Sequence, residues 1–123
     1  MSSKKPSDSS VQTVMRMFPS DANPAGNVFG GEILKEIDII AGTVAQRHCR
    51  SNVVTASIDK VDFLKPVFVG EALILNARLN YVGKSSMEVE VSVQSENLMT
   101  GDIRRTGTAF VTMVAHDENG FRI

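Results

Sequence analysis

Apolar residues recur at helical spacing in one segment of the chain, from about Gly30 to Arg47. The recurring positions form a single stripe: Ile33, Ile37, Ile40, Ala41 and Val44. Intervals of three and four residues place these side chains on one face of an amphipathic helix. Ile39 points away from that face, so we expect this helix to be covered on more than one side.

After the helix the apolar residues alternate with a period of two, which is typical of half-buried β-strands. Four such strands are predicted, at 53–64, 71–82, 86–97 and 103–115. The second and third have clear inward faces: Leu73, Leu75, Ala77, Leu79 and Tyr81, then Met87, Val89, Val91 and Val93. The last strand is apolar on both faces near its middle.

The first of these strands changes its phase part-way along. Its apolar residues lie at Val54, Ala56 and Ile58 and then at Val61 and Phe63. This change of parity indicates a bulge or bend near Asp59 and Lys60.

Short turns, "VGKS" (82–85) and "LMTGD" (98–102), join the long strands, so neighbouring strands are expected to be antiparallel. The segment 11–18 is predicted to form a short edge strand, and 19–27 a loop rich in turn-forming residues. One helix on one antiparallel sheet is an α+β fold. Because a single helix covers such a sheet poorly, we expect a partner subunit.

Length and charge restrict the possibilities further. The chain has 123 residues and a net charge of −1, which fits one domain and gives no basic surface for nucleic acid. We predict a disordered tail at 1–10, a single domain at 11–118 and a C-terminal tail at 119–123. The single cysteine, the lack of a spanning apolar run and the polar N-terminus favour a cytoplasmic location. Two histidines and one cysteine predict no metal site.

One acid stands beside the apolar stripe of the helix. Asp38 lies next to Leu34 and Ala45 at the edge of the stripe. Periodicity alone favours an ordinary edge carboxylate on an amphipathic helix. The other interpretation is a carboxylate kept there for acid–base or nucleophilic chemistry.

Three segments, "PSDANPAGNVFGGEILKEIDIIAG", "VVTASIDKVDFLKPVFVGE" and "YVGKSSMEVEVSV", resemble the acyl-CoA thioester hydrolases of the hotdog fold. The resemblance covers about residues 12–116. It implies one long central helix wrapped by a curved antiparallel sheet, and a homodimer joined edge to edge that often assembles into a trimer of dimers. It also implies active sites at the dimer interface and hydrolysis of a fatty or other acyl-CoA without any cofactor or metal.

The resemblance assigns the catalytic roles to three residues. Asp38 would be the general base or the nucleophile, Asn23 of the facing subunit would orient the water or substrate, and the amide of Gly31 would stabilise the oxyanion. For Asn23 the alternative is turn chemistry. For the Gly30–Gly31 pair it is a flexible or closely packed helix start.

Substrate contacts are expected from six residues: Gly30, Val54, Thr55, Lys84, Ser85 and Ser86. Val54 and Thr55 would line the acyl or pantetheine channel, by analogy with the family. Lys84 and the two serines would bind the phosphates or pantetheine of coenzyme A, unless their turn is simply solvated.

Two other functions are compatible with the same scaffold. One is a non-catalytic acyl-CoA-binding module, and the other is a hotdog dehydratase. Dehydratases of this fold use a histidine with a carboxylate, and no histidine precedes the helix or lies in its front half. The sequence leaves open the acyl chain length, the oligomeric state, the choice between water attack and an anhydride, the pathway and the regulation.

Overall fold

A 20-residue helix packs against one five-stranded antiparallel sheet in the computed structural model of this chain, which describes residues 9–117. The elements are β1 (Val11–Arg16), α1 (Gly30–Cys49), β2 (Asn52–Phe63), β3 (Ala72–Val82), β4 (Ser86–Glu96) and β5 (Ile103–His116). The strand order is β1-β3-β4-β5-β2, and every neighbouring pair is antiparallel. This confirms the predicted α+β fold and places the predicted short strand at one edge.

The apolar stripe of α1 forms the centre of the core. Its buried residues are Ile33, Ile37, Ile40, Ala41, Val44 and Ala45, which confirms the predicted face. Ile39 lies outside this face and is 55% exposed. The expected second cover of the helix is therefore not provided by residues 9–117. The helix ends where Arg50 takes the left-handed conformation (φ 55°) and donates its backbone N–H to the Gln46 carbonyl.

The inward faces of β3 and β4 follow the predicted alternation almost throughout. All four predicted residues of β4 are buried, as are the first four of β3: Met87, Val89, Val91, Val93, Leu73, Leu75, Ala77 and Leu79. Tyr81 was expected on the same face and is instead 62% exposed. The ladder to β4 shifts its register between Leu79 and Tyr81, which turns the ring outward.

Two irregularities interrupt β2, of which the sequence indicated only one. The predicted bulge lies between Asp59 and Asp62, where Lys60 has a φ of 52°. A second register shift lies between Thr55 and Ser57, so Ala56 has no partner in the ladder. The prediction that Val54 and Ala56 share the face of Ile58 is therefore wrong.

The inward side of β2 begins with Val53 and Thr55, opposite the buried Ala115 and Met113 of β5. Val54 faces outward and is 52% exposed. The sheet thus ends at β2 in a long edge strand with an exposed apolar side chain beside it.

The predicted domain boundaries can be compared only in part. Residues 1–8 and 118–123, which include most of the predicted N-terminal tail and all of the predicted C-terminal tail, lie outside the described residues. Ser9, which lies within the predicted N-terminal tail, is buried. No helix within residues 9–117 has the length and hydropathy needed to cross a membrane.

Gly107 of β5 provides a test of the β2–β5 register. A Cβ added there would lie 2.1 Å from the Asp62 carbonyl oxygen and 3.1 Å from the Phe63 ring. We expect Gly107→Ala to lower the free energy of unfolding by about 1–3 kcal/mol, because backbone atoms must move. Denaturant unfolding at fixed protein concentration measures the change.

Gly42→Ala is the matched control, because a Cβ there meets only the Met113 Cε atom at 3.6 Å. Alanine in a helix interior is favoured over glycine by up to about 1 kcal/mol, so no loss of stability is expected. Equal stability of the Gly107→Ala protein and the wild type would show that the strands do not approach as described.

Candidate active site

Asp38 lies on the third turn of α1, where the helix crosses the inward side of β2. Its side chain is half-buried, and its Oδ1 atom accepts a hydrogen bond from the Thr55 hydroxyl at 2.5 Å. The same hydroxyl lies 3.6 Å from the Met113 sulfur, at the margin of the core. Within residues 9–117 no hydrogen bond engages Oδ2. One carboxylate oxygen is therefore held in place and the other remains available as a base.

Asn23 is held in a turn by hydrogen bonds to its side chain, which is the alternative local role predicted from the sequence. Its side-chain Oδ1 accepts hydrogen bonds from the backbone N–H groups of Ala25 (3.0 Å) and Asn27 (3.1 Å). Both partners are donors, so the amide oxygen must face them and the Nδ2 amino group must face the other way. Nδ2 has no partner within the described chain. Turn formation thus fixes the side chain and leaves its donor group available.

Gly30 and Gly31 form the first two positions of α1. The first backbone hydrogen bonds of the helix come from Glu32 and Ile33, which both donate to the Phe29 carbonyl. The amides before them have no acceptor inside the helix and carry the partial positive charge of its N-terminus. Gly31 is exposed, and an added Cβ would meet nothing within 4 Å. In this chain Gly31 is therefore open to a ligand rather than closely packed.

Gly30 has a neighbour that the sequence did not indicate. A Cβ on Gly30 would lie 3.6 Å from the ring of Phe63, at the end of β2. Phe63 is 40% exposed, so its ring forms an apolar wall beside the helix start. No local pattern joins two residues so far apart in the chain, and only the fold brings them together.

The predicted catalytic groups do not meet within one chain. Gly31 precedes Asp38 by seven residues, which is about 10 Å along a helix. No contact joins Asn23 to Asp38 in the described part of the protein. Of the predicted site residues, the structure brings Thr55 to Asp38, and Gly30 and Gly31 to one helix end. Val54 points to the opposite face of β2 from Thr55.

Lys84, Ser85 and Ser86 lie at the far end of α1, in the turn between β3 and β4. With His48 and Cys49 of the last helical turn they line a cavity of about 200 Å³. The Nδ1 atom of His48 is buried and has no hydrogen-bond partner in the part of the chain described. Lys84 is exposed and forms no ion pair within residues 9–117. Its positive charge is therefore available to a ligand at this end.

No three histidine, cysteine or acidic side chains of residues 9–117 lie close enough together to hold a metal ion.

A half-buried acid on a helix that is cradled by one curved antiparallel sheet is the arrangement of the hotdog thioesterases. The model of the thioesterase superfamily matches residues 25–101. The chain belongs to this superfamily.

Two curated relatives are longer than this chain. It is 47% identical over 113 residues to an uncharacterized acyl-CoA thioester hydrolase of Bacillus subtilis, covering 92% of this chain and 66% of the relative. It is 41% identical over 99 residues to the cytosolic acyl coenzyme A thioester hydrolase of Homo sapiens, covering 76% of this chain and 26% of that protein. The chain thus spans under two thirds of both.

Solved structures of the same fold are similar along nearly the whole chain. An apo-hexameric acyl-CoA thioesterase superposes with a TM-score of 0.94 at 43% identity, over 98% of this chain and 77% of that one. The acyl-CoA hydrolase of Staphylococcus aureus was solved with butyryl coenzyme A, coenzyme A and coenzyme A disulfide. It gives a TM-score of 0.91 at 37% identity, over 97% and 73% of the two chains.

The S. aureus enzyme has also been solved as three single alanine variants. The replaced residues are an asparagine, an aspartate fifteen residues later and a threonine seventeen residues after that. Asn23, Asp38 and Thr55 have the same residue types at the same two spacings.

The hydrogen bond from Thr55 to Asp38 is testable through stability. We expect Thr55→Val to lower the free energy of unfolding by about 1 kcal/mol, because it removes a donor from a half-buried carboxylate without changing side-chain size. Thr55→Ser keeps the hydroxyl and should lose less. Denaturant unfolding of the three proteins measures both changes, and equal stability of the Val variant and the wild type would contradict the bond.

Proposed function

We propose that this protein is an acyl-CoA thioesterase, which hydrolyses an acyl-CoA to a carboxylic acid and coenzyme A. The observation that carries the proposal is Asp38, a half-buried carboxylate with one oxygen fixed by Thr55 and the other available. The spacing shared with the three residues replaced in the S. aureus hydrolase supports the same assignment.

In this mechanism Asp38 acts as a general base. Its free oxygen takes a proton from a water molecule as the water oxygen attacks the thioester carbonyl. The N–H of Gly31 of the partner subunit, in the dimer proposed below, donates to the carbonyl oxygen as negative charge develops there. The C–S bond then breaks, coenzyme A leaves as a thiolate, and the proton held by Asp38 passes to it or to solvent. Direct attack by Asp38, which would form an anhydride, remains the alternative chemistry.

Asn23 contributes by holding the water. Its Nδ2 group donates a hydrogen bond to one lone pair of the water oxygen, which leaves the other lone pair for attack. The two backbone N–H bonds to Oδ1 prevent the amide from rotating away. This preorganisation is the reason a turn residue can serve in catalysis.

We further propose that Asn23 reaches Asp38 of a partner subunit in a homodimer. The separation of the two residues within one chain supports this assignment. Ile39 of α1 and Val54 of β2 are exposed apolar side chains that a second copy would cover. The long free edge of β2 is able to join the two sheets. Assembly into a trimer of dimers is supported by two similar thioesterases that were solved as hexamers.

The turn between β3 and β4 is the proposed contact for coenzyme A. The Lys84 ammonium would pair with a phosphate, and the hydroxyls of Ser85 and Ser86 would donate hydrogen bonds. The cavity beside them supports this function, because it provides a recess between the turn and the end of α1. Thr55 and Gly30 would lie along the path from this end to the reacting carbonyl.

We also propose a cytoplasmic location.

Loss of the acid tests the function directly. We expect wild-type protein to release thiol from a panel of acyl-CoAs of different chain length. Asp38→Asn and Asp38→Ala should each lower kcat by about 100-fold or more, because the general base is removed. Free thiol is measured with a chromogenic disulfide, and the folding of each variant is checked by circular dichroism.

Asp59→Asn is the matched control, because this exposed carboxylate lies on the outward side of β2 and bonds only Ser57 among the described residues. Its turnover should equal that of the wild type. Binding of acyl-CoA without thiol release by any protein would indicate a binding module, and conversion of the acyl group without thiol release would indicate a dehydratase. Equal turnover of the Asp38 variants and the wild type would remove Asp38 from the mechanism.

Mixed dimers test the shared site. Asn23→Ala and Asp38→Ala chains, each expected to be inactive alone, are co-expressed in equal amounts and purified as the statistical mixture of homodimers and mixed dimers. One of the two sites in each mixed dimer then holds both native residues, so a statistical mixture should recover about a quarter of wild-type activity. If the two residues came from the same chain, no site would be intact and no activity would return.

A further inference from the structure

Glu71 is the only charged residue that is buried within residues 9–117, with 7% of its surface exposed. It stands immediately before β3 and forms a bidentate pair with Arg104 of β5. Nη1 donates to Oε2 and Nη2 to Oε1, both at 2.9 Å. The Phe68 backbone N–H also donates to Oε1 at 2.9 Å. Three donors therefore hold this carboxylate in one orientation.

The charge state of the pair follows from these contacts. Burial alone would raise the pKa of Glu71, but the hydrogen bonds from Arg104 and Phe68, together with the Arg104 charge, hold it below its ordinary value of 4.5. The stabilisation is therefore complete above pH 4.5 and is lost as the pH falls through the lowered pKa. At neutral pH the pair is intact.

The pair holds the segment 66–71, which connects β2 to β3. Arg104 also donates to the Pro66 carbonyl at 3.1 Å, and its guanidinium lies 5.7 Å from the centre of the Phe68 ring. The side chains of Glu71 and Arg104 thus contact both ends and the middle of this six-residue segment.

The loop that carries Asn23 is built on the same segment. Four backbone hydrogen bonds of 2.8–3.0 Å join the two: Met17 N–H to Glu71 O, Gly70 N–H to Met17 O, Val69 N–H to Gly26 O, and Val28 N–H to Val67 O. They lie on both sides of Asn23, and the last is two residues before the start of α1. The position of Asn23 and of the first helical amides therefore depends on where the segment 66–71 lies.

We propose that Glu71 and Arg104 are positioning residues for the active site, which set the placement of Asn23 and of the Gly31 amide through the segment 66–71. This inference rests on the thioesterase function proposed above. Neither side chain touches Asn23, Gly31 or Asp38 among the described contacts, so the effect is indirect. Small displacements of catalytic groups lower the reaction rate by large factors, so a rigid support for the Asn23 loop contributes to the rate.

The competing explanation is that the pair only stabilises the folded protein. A buried ion pair is weak evidence for such a contribution to stability. Replacing such a pair with well-packed apolar residues is often neutral or stabilising, because the charges lose hydration on burial. A bidentate pair does, however, specify one geometry. The structure supports a role in specifying geometry, since every donor to the Glu71 carboxylate comes from the segment 66–71 or from β5.

The experiment compares Glu71→Gln and Arg104→Lys with wild type in the full-length protein. Gln keeps the side-chain volume and an acceptor for Phe68, whereas Lys keeps the positive charge but not the fork of two donors. Hydrogen exchange reports the loop directly through the Val28 and Val69 amides. Steady-state thiol release from an acyl-CoA that the wild type hydrolyses separates kcat from KM.

We expect exchange at Val28 and Val69 to speed up about tenfold or more in both variants, with little change at the helix-core amides of 37–44. We expect kcat to fall about tenfold or more while KM changes by less than about threefold, because geometry rather than coenzyme A contact is altered. If Glu71→Gln fails to fold, Arg104→Lys decides alone.

Arg78→Lys is the matched control. Arg78 and Glu90 also pair across adjacent strands, at 3.2 Å, but at the exposed outer face of β3 and β4. This variant should show unchanged exchange at Val28 and Val69 and unchanged kcat. The proposal is overturned if the Glu71 and Arg104 variants exchange like the wild type, or if they lose only global stability with kcat preserved.

The two proposals fail in different ways. A wild type that releases no thiol from any acyl-CoA overturns the proposed function. The exchange data still decide whether Glu71 and Arg104 hold the Asn23 loop. Active wild type with unaltered loop exchange in the variants overturns the positioning inference and leaves the function intact.

Discussion

Burial of one helical stripe against one curved sheet is the constraint on which the rest of this structure depends. Ile37, Ile40 and Val44 are essentially inaccessible, and each such side chain contributes about 1.5–3 kcal/mol relative to exposure. Because the helix has a single core face, the residues at the edge of that face lie between core and solvent. Asp38 occupies such an edge. A carboxylate there remains accessible while a neighbouring strand fixes its orientation.

The length of the helix then separates the functional groups. Its N-terminal amides, its central acid and the turn beside its C-terminus are spread over 20 residues, about 30 Å. A reaction centre of a few ångströms cannot be assembled from them within one chain. In the proposed dimer, a second copy would bring its Asn23 loop and helix start to the Asp38 of the first. Helix geometry and the incomplete coverage of the sheet both support that proposal.

Periodicity predicted those elements in which the pattern of buried and exposed residues is uninterrupted. The stripe of α1 and the alternation of β4 are regular, and both were predicted from the sequence. The error at Val54 has a local cause, because Ala56 is an extra residue in the ladder and reverses the parity of the strand before it. Tyr81 was misplaced by the same kind of register shift. Bulges leave little trace in an apolar pattern when small or polar residues occupy them.

The candidate site was less accessible to the sequence, because its contacts are long-range. Asp38 and Asn23 were singled out by resemblance, and neither periodicity nor turn chemistry distinguished them from ordinary edge and loop residues. The bond from Thr55 to Asp38 spans 17 residues, and the pair of Glu71 with Arg104 spans 33. No short motif encodes such partners. Their identification required the strand order, which places β5 beside β2 and so brings Arg104 to the loop that leaves β2.

The same loop shows why structural and catalytic interpretations of a residue need not compete. Asn23 stabilises a turn through its side-chain Oδ1, and these hydrogen bonds fix the direction of Nδ2. Glu71 is likewise a structural ion-pair partner, and its rigidity is what locates the loop. The hydrogen bonds to the Glu71 carboxylate hold the segment 66–71 in place. Preorganisation of this kind would fix the direction of the donor group that we propose for catalysis.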